Sequence, residues 1–208
     1  MVIIGINGKM GRSIYEQYKN SFDIIGIDKI SHFEAKTICD LDLIEKKIDV
    51  LVDFSSIECF DMLVKAIRKG IPVLSGTTGY SLDEINILKE LALTHNVEFV
   101  WKANYAKGIK LFSKLINVCK NEFEKLDFVE IHATTKKDSP SGTAKILAKE
   151  LGVEEAKIQS LRLNQAPAIH ELIFSSDFER LSLRHEILDK KAFLMGFDEE
   201  LKNIVGEG

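Results

Sequence analysis

Hydrophobic residues in the first half of the chain form short, nearly continuous runs, separated by longer segments of helical periodicity. The runs predict five β-strands, at residues 2–6, 23–28, 49–54, 72–74 and 97–101. The intervening segments 9–20, 57–69 and 81–95 have the apolar spacing of amphipathic helices. Strands that alternate with helices and are apolar on both faces are typical of a parallel sheet covered by crossover helices. This half is therefore predicted to be an α/β unit.

The hydrophobic pattern changes after about residue 102. A helical pattern over residues 108–123 is followed by strict alternation over residues 128–135. The rest of the chain predicts helices at 142–151 and 191–205 and strands at 157–163, 169–174 and 179–183. Because alternation replaces continuous burial, the second half predicts an α+β unit with a half-exposed antiparallel or mixed sheet. The boundary is predicted near residues 102–107.

Composition and charge narrow the class of protein. The 208 residues include 28 Lys and Arg against 32 Asp and Glu, a net charge of −4, which argues against nucleic acid or an anionic membrane as partner. No apolar run approaches the roughly 18 to 20 residues of a membrane span, and the N-terminus lacks the features of a signal peptide. The three widely spaced cysteines form no CxxC pair. We therefore expect a cytoplasmic protein with reduced thiols.

A glycine-rich loop follows the first predicted strand. Its residues are Gly5, Asn7, Gly8, Lys9, Met10 and Gly11. Glycines at such a junction allow the backbone to approach a pyrophosphate, whose charge the helix N-terminus attracts. Asn7 and Met10 stand where an ideal GxGxxG has glycine, and Met10 and Gly11 exclude a P-loop. The loop is a candidate dinucleotide site, with a glycine-rich turn that binds no ligand as the alternative.

Polar residues at the ends of further predicted strands extend this candidate site. Asp28 lies 23 residues after Gly5, near the spacing of an acid that binds the adenosine ribose, whereas Lys29 and Lys9 suit the 2′-phosphate of NADP. NADH and NADPH both remain open. The later strand ends carry Phe54, Ser55, Gly76, Thr77, Thr78, Asn104 and Tyr105. Ligands of open α/β sheets bind at this edge, so these residues are candidates for cofactor contacts.

The densest chemistry lies at residues 130–144. His132 is expected on the more polar face of its strand, Lys136 follows in a loop, and Ser141 is suited to cap the next helix. The amides of Gly142 and Thr143 at that helix N-terminus form a natural carboxylate site. A proton donor, a cation and an anion site suit the reduction of an anionic substrate at a polarised double bond.

Two other chemistries have less support. Ser141 and His132 could suggest a hydrolase, but no GxSxG motif is present. The five histidines include no HExxH motif or close pair, so no metal is expected. His170 and His185 are expected to be structural or peripheral.

Taken together, these motifs resemble the dihydrodipicolinate reductase family. The likeness rests on the GxxGxMG loop at residues 5–11, Asp53-Phe54-Ser55, the GTTG turn at 76–79, and the pattern E-x-H-x-x-x-K-x-D-x-P-S-G-T-A at 130–144. The last pattern is long and specific. Ala133 replaces a second histidine of the family, Ala103 replaces a proline, and the chain is shorter between Asp28 and Asp49.

The resemblance implies a Rossmann domain for NADH or NADPH at residues 1–105, to which residues 189–208 return. Residues 106–188 would form the substrate-binding and oligomerisation domain of a homotetramer. The implied substrate is a small cyclic dicarboxylate, 4-hydroxy-tetrahydrodipicolinate, reduced in diaminopimelate and lysine biosynthesis. His132 and Lys136 would be catalytic, and Lys136, Ser141, Gly142 and Thr143 would bind substrate. The alternatives are another small Rossmann oxidoreductase acting on an imine or amino acid, and a catalytically weakened regulatory protein.

Overall fold

The structure, a computed structural model, describes residues 1–31 and 34–206. The chain divides into two compact units, of which the first comprises Met1–Ala103 and Phe197–Gly208 and the second Asn104–Gly196. The domain boundaries given by the sequence, at residues 105 and 189, remain predictions about functional domains. Each unit is built on its own sheet.

The first unit is a six-stranded, wholly parallel sheet with the strand order β3-β2-β1-β4-β5-β6. Its strands are β1 (Val2–Ile4), β2 (Ile25–Ile27), β3 (Lys36–Ile38), β4 (Leu51–Asp53), β5 (Val73–Ser75) and β6 (Phe99–Trp101). Its connecting helices are α1 (Lys9–Tyr18), α2 (Phe60–Arg68) and α3 (Leu82–Thr94). The order reverses at β1, which places the loops after β1 and β4 next to each other. The predicted Rossmann-type α/β architecture is confirmed.

The prediction of five strands in this unit was wrong, because β3 adds a sixth. This strand is only three residues long, pairs with β2 alone and leaves Lys36 exposed. An edge strand has one unpaired side and need not carry a continuous apolar run. The hydrophobic pattern therefore gave no signal for it.

The second unit is a four-stranded sheet with the order β10-β9-β7-β8, and it is mixed, one of the two sheet types that the sequence predicted. Its strands are β7 (Lys125–Ala133), β8 (Ile158–Leu163), β9 (Ala168–Ser175) and β10 (Arg180–Ile187). Helices α4 (Lys107–Cys119) and α5 (Gly142–Leu151) belong to this unit, and α6 (Lys191–Val205) begins in it. Strands β7 and β8 are parallel, whereas the other pairs are antiparallel.

The more polar face of β7 is its buried face, which the alternation in the sequence did not show. Phe128, Glu130 and His132 are buried, while Val129 and Ile131 on the opposite face are only partly covered. Apolar side chains of α4 and α5, including Phe112, Ile116 and Leu147, join Phe128 in one core. Two titratable residues are thus held in the interior at the end of that core.

Helix α6 anchors the end of the chain in the first unit through Phe197. This side chain is fully buried and makes edge-on ring contacts with Tyr18 of α1 and Phe54, at centroid distances of 6.0 and 6.1 Å. The Tyr18 hydroxyl donates a hydrogen bond of 2.8 Å to Asp198. Across residues 1–31 and 34–206, the longest helices are too short or too polar to cross a membrane.

We expect Phe197→Ala to destabilise the protein by about 3 to 5 kcal/mol, because it leaves a cavity among packed rings. Urea unfolding followed by circular dichroism measures the change. The matched control is Met195→Ala on the same helix, where the side chain is 65% exposed, and we expect a change within about 0.5 kcal/mol. Equal effects of the two substitutions would contradict the anchoring role.

Candidate active site

The glycine loop after β1 is tightly packed against the backbone of its neighbours. Gly5 has φ +77°, and a Cβ there would lie 2.5 Å from the carbonyl oxygen of Phe54. A Cβ at Gly11 would lie 2.2 Å from the carbonyl oxygen of Gly5. Helix α1 begins within this segment, at Lys9, with Gly8 as its N-cap, and within the described part of the chain no side chain caps it. The loop therefore presents backbone to a ligand at a helix N-terminus, which suits a pyrophosphate.

A cavity of about 430 Å³ opens beside this loop, within the size range of small-molecule sites. It brings together the predicted cofactor residues Gly5, Gly8, Asp28, Lys29, Phe54 and Ser55. The next two residues of the predicted loop follow Gly8 directly in the sequence. Lys9 is exposed and Met10 is half-buried. The loops after β1, β2 and β4 thus share one cavity.

Asp28 fixes the glycine loop. Its carboxylate accepts hydrogen bonds from the amides of Asn7 at 3.0 Å and Lys29 at 2.7 Å. The Asn7 side chain donates to the carbonyl of Ile30 at 2.8 Å. The Lys29 ammonium forms an exposed ion pair of 3.0 Å with Glu58, a residue that the sequence did not indicate. The acid and the base expected near an adenosine ribose therefore both line the cavity, each with a partner in the protein.

Asp53 at the end of β4 organises the next two loops. Its fully buried carboxylate accepts hydrogen bonds from the hydroxyls of Ser75 at 2.8 Å and Tyr80 at 3.3 Å, and from the Ser55 amide and hydroxyl. The Ser55 amide also donates to Thr77 Oγ1 at 3.0 Å. The sequence signal for this role was an acid at the end of an otherwise apolar strand.

The loop after β5 closes on Phe54. A Cβ at Gly76 would lie 2.0 Å from the Phe54 ring, so glycine makes room for that ring. The carbonyl of buried Thr77 accepts a hydrogen bond of 2.8 Å from the Trp101 indole, while Thr78 is exposed.

Asn104 and Tyr105 belong to the second unit, unlike the other predicted cofactor residues. The Asn104 amide group donates to Thr143 Oγ1 at 3.3 Å, and its oxygen accepts from the amide of Ala106 at 2.8 Å. Tyr105 is buried. The structure therefore brings Asn104 to the start of α5, beside a residue predicted to bind substrate.

A buried polar cluster surrounds His132 in the second unit. Glu130 is fully buried, and both of its oxygens lie 3.1 Å from the amide nitrogen of Ser141. Arg162 on β8 donates to Glu130 Oε1 at 3.0 Å. His132 Nδ1 lies 3.4 Å from Glu130 Oε2, and His170 Nε2 lies 3.3 Å from the Ser141 hydroxyl. Two imidazoles and a guanidinium thus surround one carboxylate.

Burial and charge set the protonation of this cluster. Burial alone would raise the pKa of Glu130, but hydrogen bonds from Ser141 and Arg162 hold it below its ordinary value. Burial lowers the pKa of His132, an effect that Glu130 opposes and Lys136 reinforces. Burial, with the charge of His132, lowers the pKa of His170 to about 3. At neutral pH the cluster therefore holds an ionised carboxylate and neutral imidazoles.

Lys136 lies in the loop between β7 and α5, and α5 begins where that loop ends. Lys136 Nζ forms an ion pair of 2.9 Å with Asp138. Partial burial would raise the pKa of Asp138, but the bond to Lys136 lowers it, and the Gly142 amide contributes in the same direction. Ser141 caps α5 by accepting from the Ala144 amide at 3.2 Å. Its own amide and hydroxyl are thus engaged inside the protein, whereas Gly142 and Thr143 are half-buried.

His170, expected to be structural or peripheral, lies within the buried cluster, so of these two alternatives the structural one remains a prediction. Residue 170 pairs with residue 130 across β9 and β7, and the His132 and His170 rings are 5.5 Å apart. His185 stacks on the far side of His170 at 6.5 Å. Arg162, which the sequence did not indicate, pairs with His132 across β8 and β7. Residues so distant in sequence meet only through strand pairing, and alternation within each strand was the one signal available.

The cluster also brings potential metal ligands together, although the sequence showed no close histidine pair. Ligand atoms of Glu130, His132 and His170 lie within 4.8 Å of one another. However, the carboxylate is already bound by the Arg162 cation and the Ser141 amide. A metal ion on the same carboxylate would be repelled by the Arg162 guanidinium, which lies 3.0 Å from Glu130 Oε1. These residues therefore do not fit a resident metal.

Two family models match the chain. The model described as dihydrodipicolinate reductase, N-terminus, matches residues 1–105, and the model described as its C-terminus matches residues 108–207. The 4-hydroxy-tetrahydrodipicolinate reductase of Rickettsia canadensis (strain McKiel) is 34% identical, over 94% of this chain and 90% of the relative. The enzyme of that name from Dictyoglomus turgidum is 27% identical, over 98% and 92%.

Solved structures agree with the fold. Dipicolinate-bound dihydrodipicolinate reductase from Paenisporosarcina sp. TG-14 has a TM-score of 0.80 at 20% identity, covering 98% of this chain and 93% of that chain. Aspartate dehydrogenase from Thermotoga maritima has a TM-score of 0.63 at 12% identity, covering 100% and 97%. These likenesses show the architecture alone. With both halves matched by family models and a relative of 34% identity along nearly the whole length, the chain belongs to the dihydrodipicolinate reductase family.

Proposed function

We propose that the protein catalyses the NAD(P)H-dependent reduction of 4-hydroxy-tetrahydrodipicolinate to tetrahydrodipicolinate in diaminopimelate and lysine biosynthesis. Membership of a reductase family supports this proposal. The observation that carries it is the grouping of a buried imidazole, an ammonium and a helix N-terminus over residues 132–143. These are the groups that a ring with two carboxylates and a reducible double bond requires.

Lys136 and the start of α5 are proposed to bind the substrate carboxylates. The Lys136 ammonium is part of an accessible loop, and its carboxylate partner in the free protein is Asp138. A substrate carboxylate can take the place of Asp138 there, while the amides of Gly142 and Thr143 and the Thr143 hydroxyl supply neutral donors. Ser141 supports this cradle by capping the helix.

His132 is proposed to supply or relay the proton that completes reduction. The imidazole is 8% exposed, so bulk water does not compete freely for its proton. Lys136 stabilises the charge at the ring nitrogen and carboxylate, or donates a proton itself.

The loops of the first unit are proposed to bind the dinucleotide. The glycine loop and the uncapped start of α1 suit the pyrophosphate, and the cavity beside Asp28 suits the adenosine. When bound, the reduced nicotinamide supplies the hydride that the substrate ring accepts. Asp28 favours a ribose with free hydroxyls, whereas Lys29 and Lys9 favour a 2′-phosphate, so NADH and NADPH are both proposed cofactors.

A homotetramer in the cytoplasm is proposed as the working form. The face of the mixed sheet opposite the buried cluster carries Leu161 and Leu163, which are 45% and 49% exposed, next to the partly covered Ile131. An apolar sheet face of this kind suits association with another copy. A catalytically weakened regulatory protein is the second candidate, because Ala133 replaces a histidine expected from the family resemblance.

The proposed function predicts substrate-dependent oxidation of NADH, NADPH or both by the purified protein. The assay uses freshly generated 4-hydroxy-tetrahydrodipicolinate and follows absorbance of the reduced cofactor, with substrate omitted as the control. The ratio of kcat/KM values for the two cofactors identifies the preferred one. Tight cofactor binding without substrate-dependent oxidation would instead support the regulatory candidate.

His132→Gln is expected to lower kcat by about 10²- to 10⁴-fold and to leave cofactor affinity unchanged, because it removes only the proton donor. In the parent protein kcat/KM should fall as pH rises, with a midpoint below the ordinary histidine value of about 6.5, since burial lowers the pKa of His132. The variant should lose this limb of the profile. His95→Gln, at an exposed helix end, is the control. A variant with near-normal turnover would refute the role.

Lys136→Ala is expected to lower turnover at least about 100-fold and to weaken binding of the non-reacting analogue dipicolinate, because an ammonium no longer faces a carboxylate. Isothermal titration calorimetry measures dipicolinate and cofactor separately, and cofactor affinity should not change. Lys137→Ala removes the same charge from the neighbouring exposed position and should leave both affinities and turnover near normal. Similar losses in both variants would mean that general charge, not this site, is responsible.

A further inference from the structure

Glu130 has more partners than a structural ion pair requires. A buried carboxylate is compensated by one guanidinium and a few hydrogen bonds, which Arg162 and the Ser141 amide provide. Arg162 contacts Oε1, which leaves Oε2 facing the two imidazoles of His132 and His170, at 3.4 and 4.0 Å. The carboxylate therefore has one oxygen toward the cation and one toward the proposed proton donor.

His132 Nδ1 depends on that second oxygen. Nδ1 is buried and makes no hydrogen bond within the described part of the chain, so Glu130 Oε2 is the acceptor toward which it can turn. The other groups around this ring are Arg162 from β8, His170 from β9, and Lys136 and Asp138 from the following loop. Arg162 and the Lys136 ammonium have no lone pair with which to accept a hydrogen bond, and Asp138 is paired with Lys136. His170 Nε2 contacts the Ser141 hydroxyl instead.

The same carboxylate also holds the start of α5. Both oxygens accept from the Ser141 amide, and the Ser141 hydroxyl caps the helix while contacting His170 Nε2. The neighbouring residues Gly142 and Thr143 are those proposed to receive a substrate carboxylate. One fully buried side chain therefore ties the proton donor and the anion cradle together.

We propose that Glu130 is a positioning residue for the reduction. Through Oε2 it holds His132 in the Nδ1–H tautomer, so that Nε2 takes up a proton from water and the resulting imidazolium, stabilised by the Glu130 carboxylate, donates that proton from Nε2 to substrate. Through its contacts with the Ser141 amide it fixes the start of α5 relative to that nitrogen. The inference rests on the proposed function, because it assigns Glu130 a role in that reaction.

The tautomer of His132 provides a direct test. Protein labelled with ¹⁵N-histidine is measured by long-range ¹H–¹⁵N correlation at a pH where the imidazole is neutral, and His132→Gln identifies the resonance. We expect the Nδ1–H form in the parent protein. In Glu130→Gln the single oxygen is retained by Arg162 and Ser141, so the amide NH₂ faces Nδ1 and favours the Nε2–H form. An Nε2–H form in the parent protein overturns the proposal even if the variant does not fold.

Kinetics provides the second readout. In Glu130→Gln, kcat should fall at least about 100-fold because His132 loses its proton acceptor. Dipicolinate affinity should stay within about threefold, because the Gln oxygen can still accept from the Ser141 amide and so keep the start of α5 in place. Asp177→Asn is the control, since Asp177 forms an exposed ion pair of 2.5 Å with Lys125 at the start of β7, far along the strand from His132, and it should change neither value. Equal loss of kcat and dipicolinate affinity in Glu130→Gln would indicate a structural role and overturn the proposal.

The two proposals fail in different ways. If the parent protein does not oxidise NADH or NADPH with substrate, the proposed function fails, whatever the tautomer. If turnover is normal but the tautomer of His132 is the same in both proteins, the proposed function stands and the role of Glu130 falls.

Discussion

The second unit depends on keeping one carboxylate ionised in its interior. Removing a charge from water costs several kcal/mol, and the cost is offset only where partners satisfy the group fully. For Glu130 these partners come from three directions: Arg162 from the adjacent strand, the Ser141 amide from the start of α5, and imidazoles from its own strand and β9. Loss of one partner in such a buried pair costs about 3 to 5 kcal/mol. The strand register and the start of α5 are thus tied to a single charge.

The first unit contains a counterpart of this arrangement in Asp53. There the partners are neutral hydroxyls and an amide from the loop after β4, the end of β5 and the loop after β5, rather than a cation. In both units a buried carboxylate at or near a strand end accepts hydrogen bonds from neighbouring loops and strands. Loops that would otherwise be mobile are thereby fixed at the edge where ligands are proposed to bind.

The sequence predicted the helices and strands whose apolar residues are regularly spaced. It also indicated the candidate site residues that are neighbours in the sequence. The parallel sheet, the mixed sheet and the motif at residues 130–144 can all be recognised from local patterns. It did not predict β3, whose three residues have no apolar run. Nor did it predict that His170 and Arg162 meet Glu130, because register between distant strands is decided by packing and not by local composition. Nor did the alternation in β7 show which face is buried, because that depends on the partners that Glu130 and His132 have on other elements.

The ion pair between Lys136 and Asp138 bears on selectivity among anions. If a substrate carboxylate binds Lys136 as proposed, it replaces the Asp138 carboxylate, so the loss of the Lys136–Asp138 ion pair offsets part of the interaction gained. A metabolite with a single carboxylate would gain little from this exchange. Only a ligand with a second carboxylate, or a ring that buries apolar surface, brings a contribution that Asp138 does not already supply. On that proposal Asp138 would act as an internal competitor in the free protein, and monocarboxylates would be discriminated against without any steric barrier.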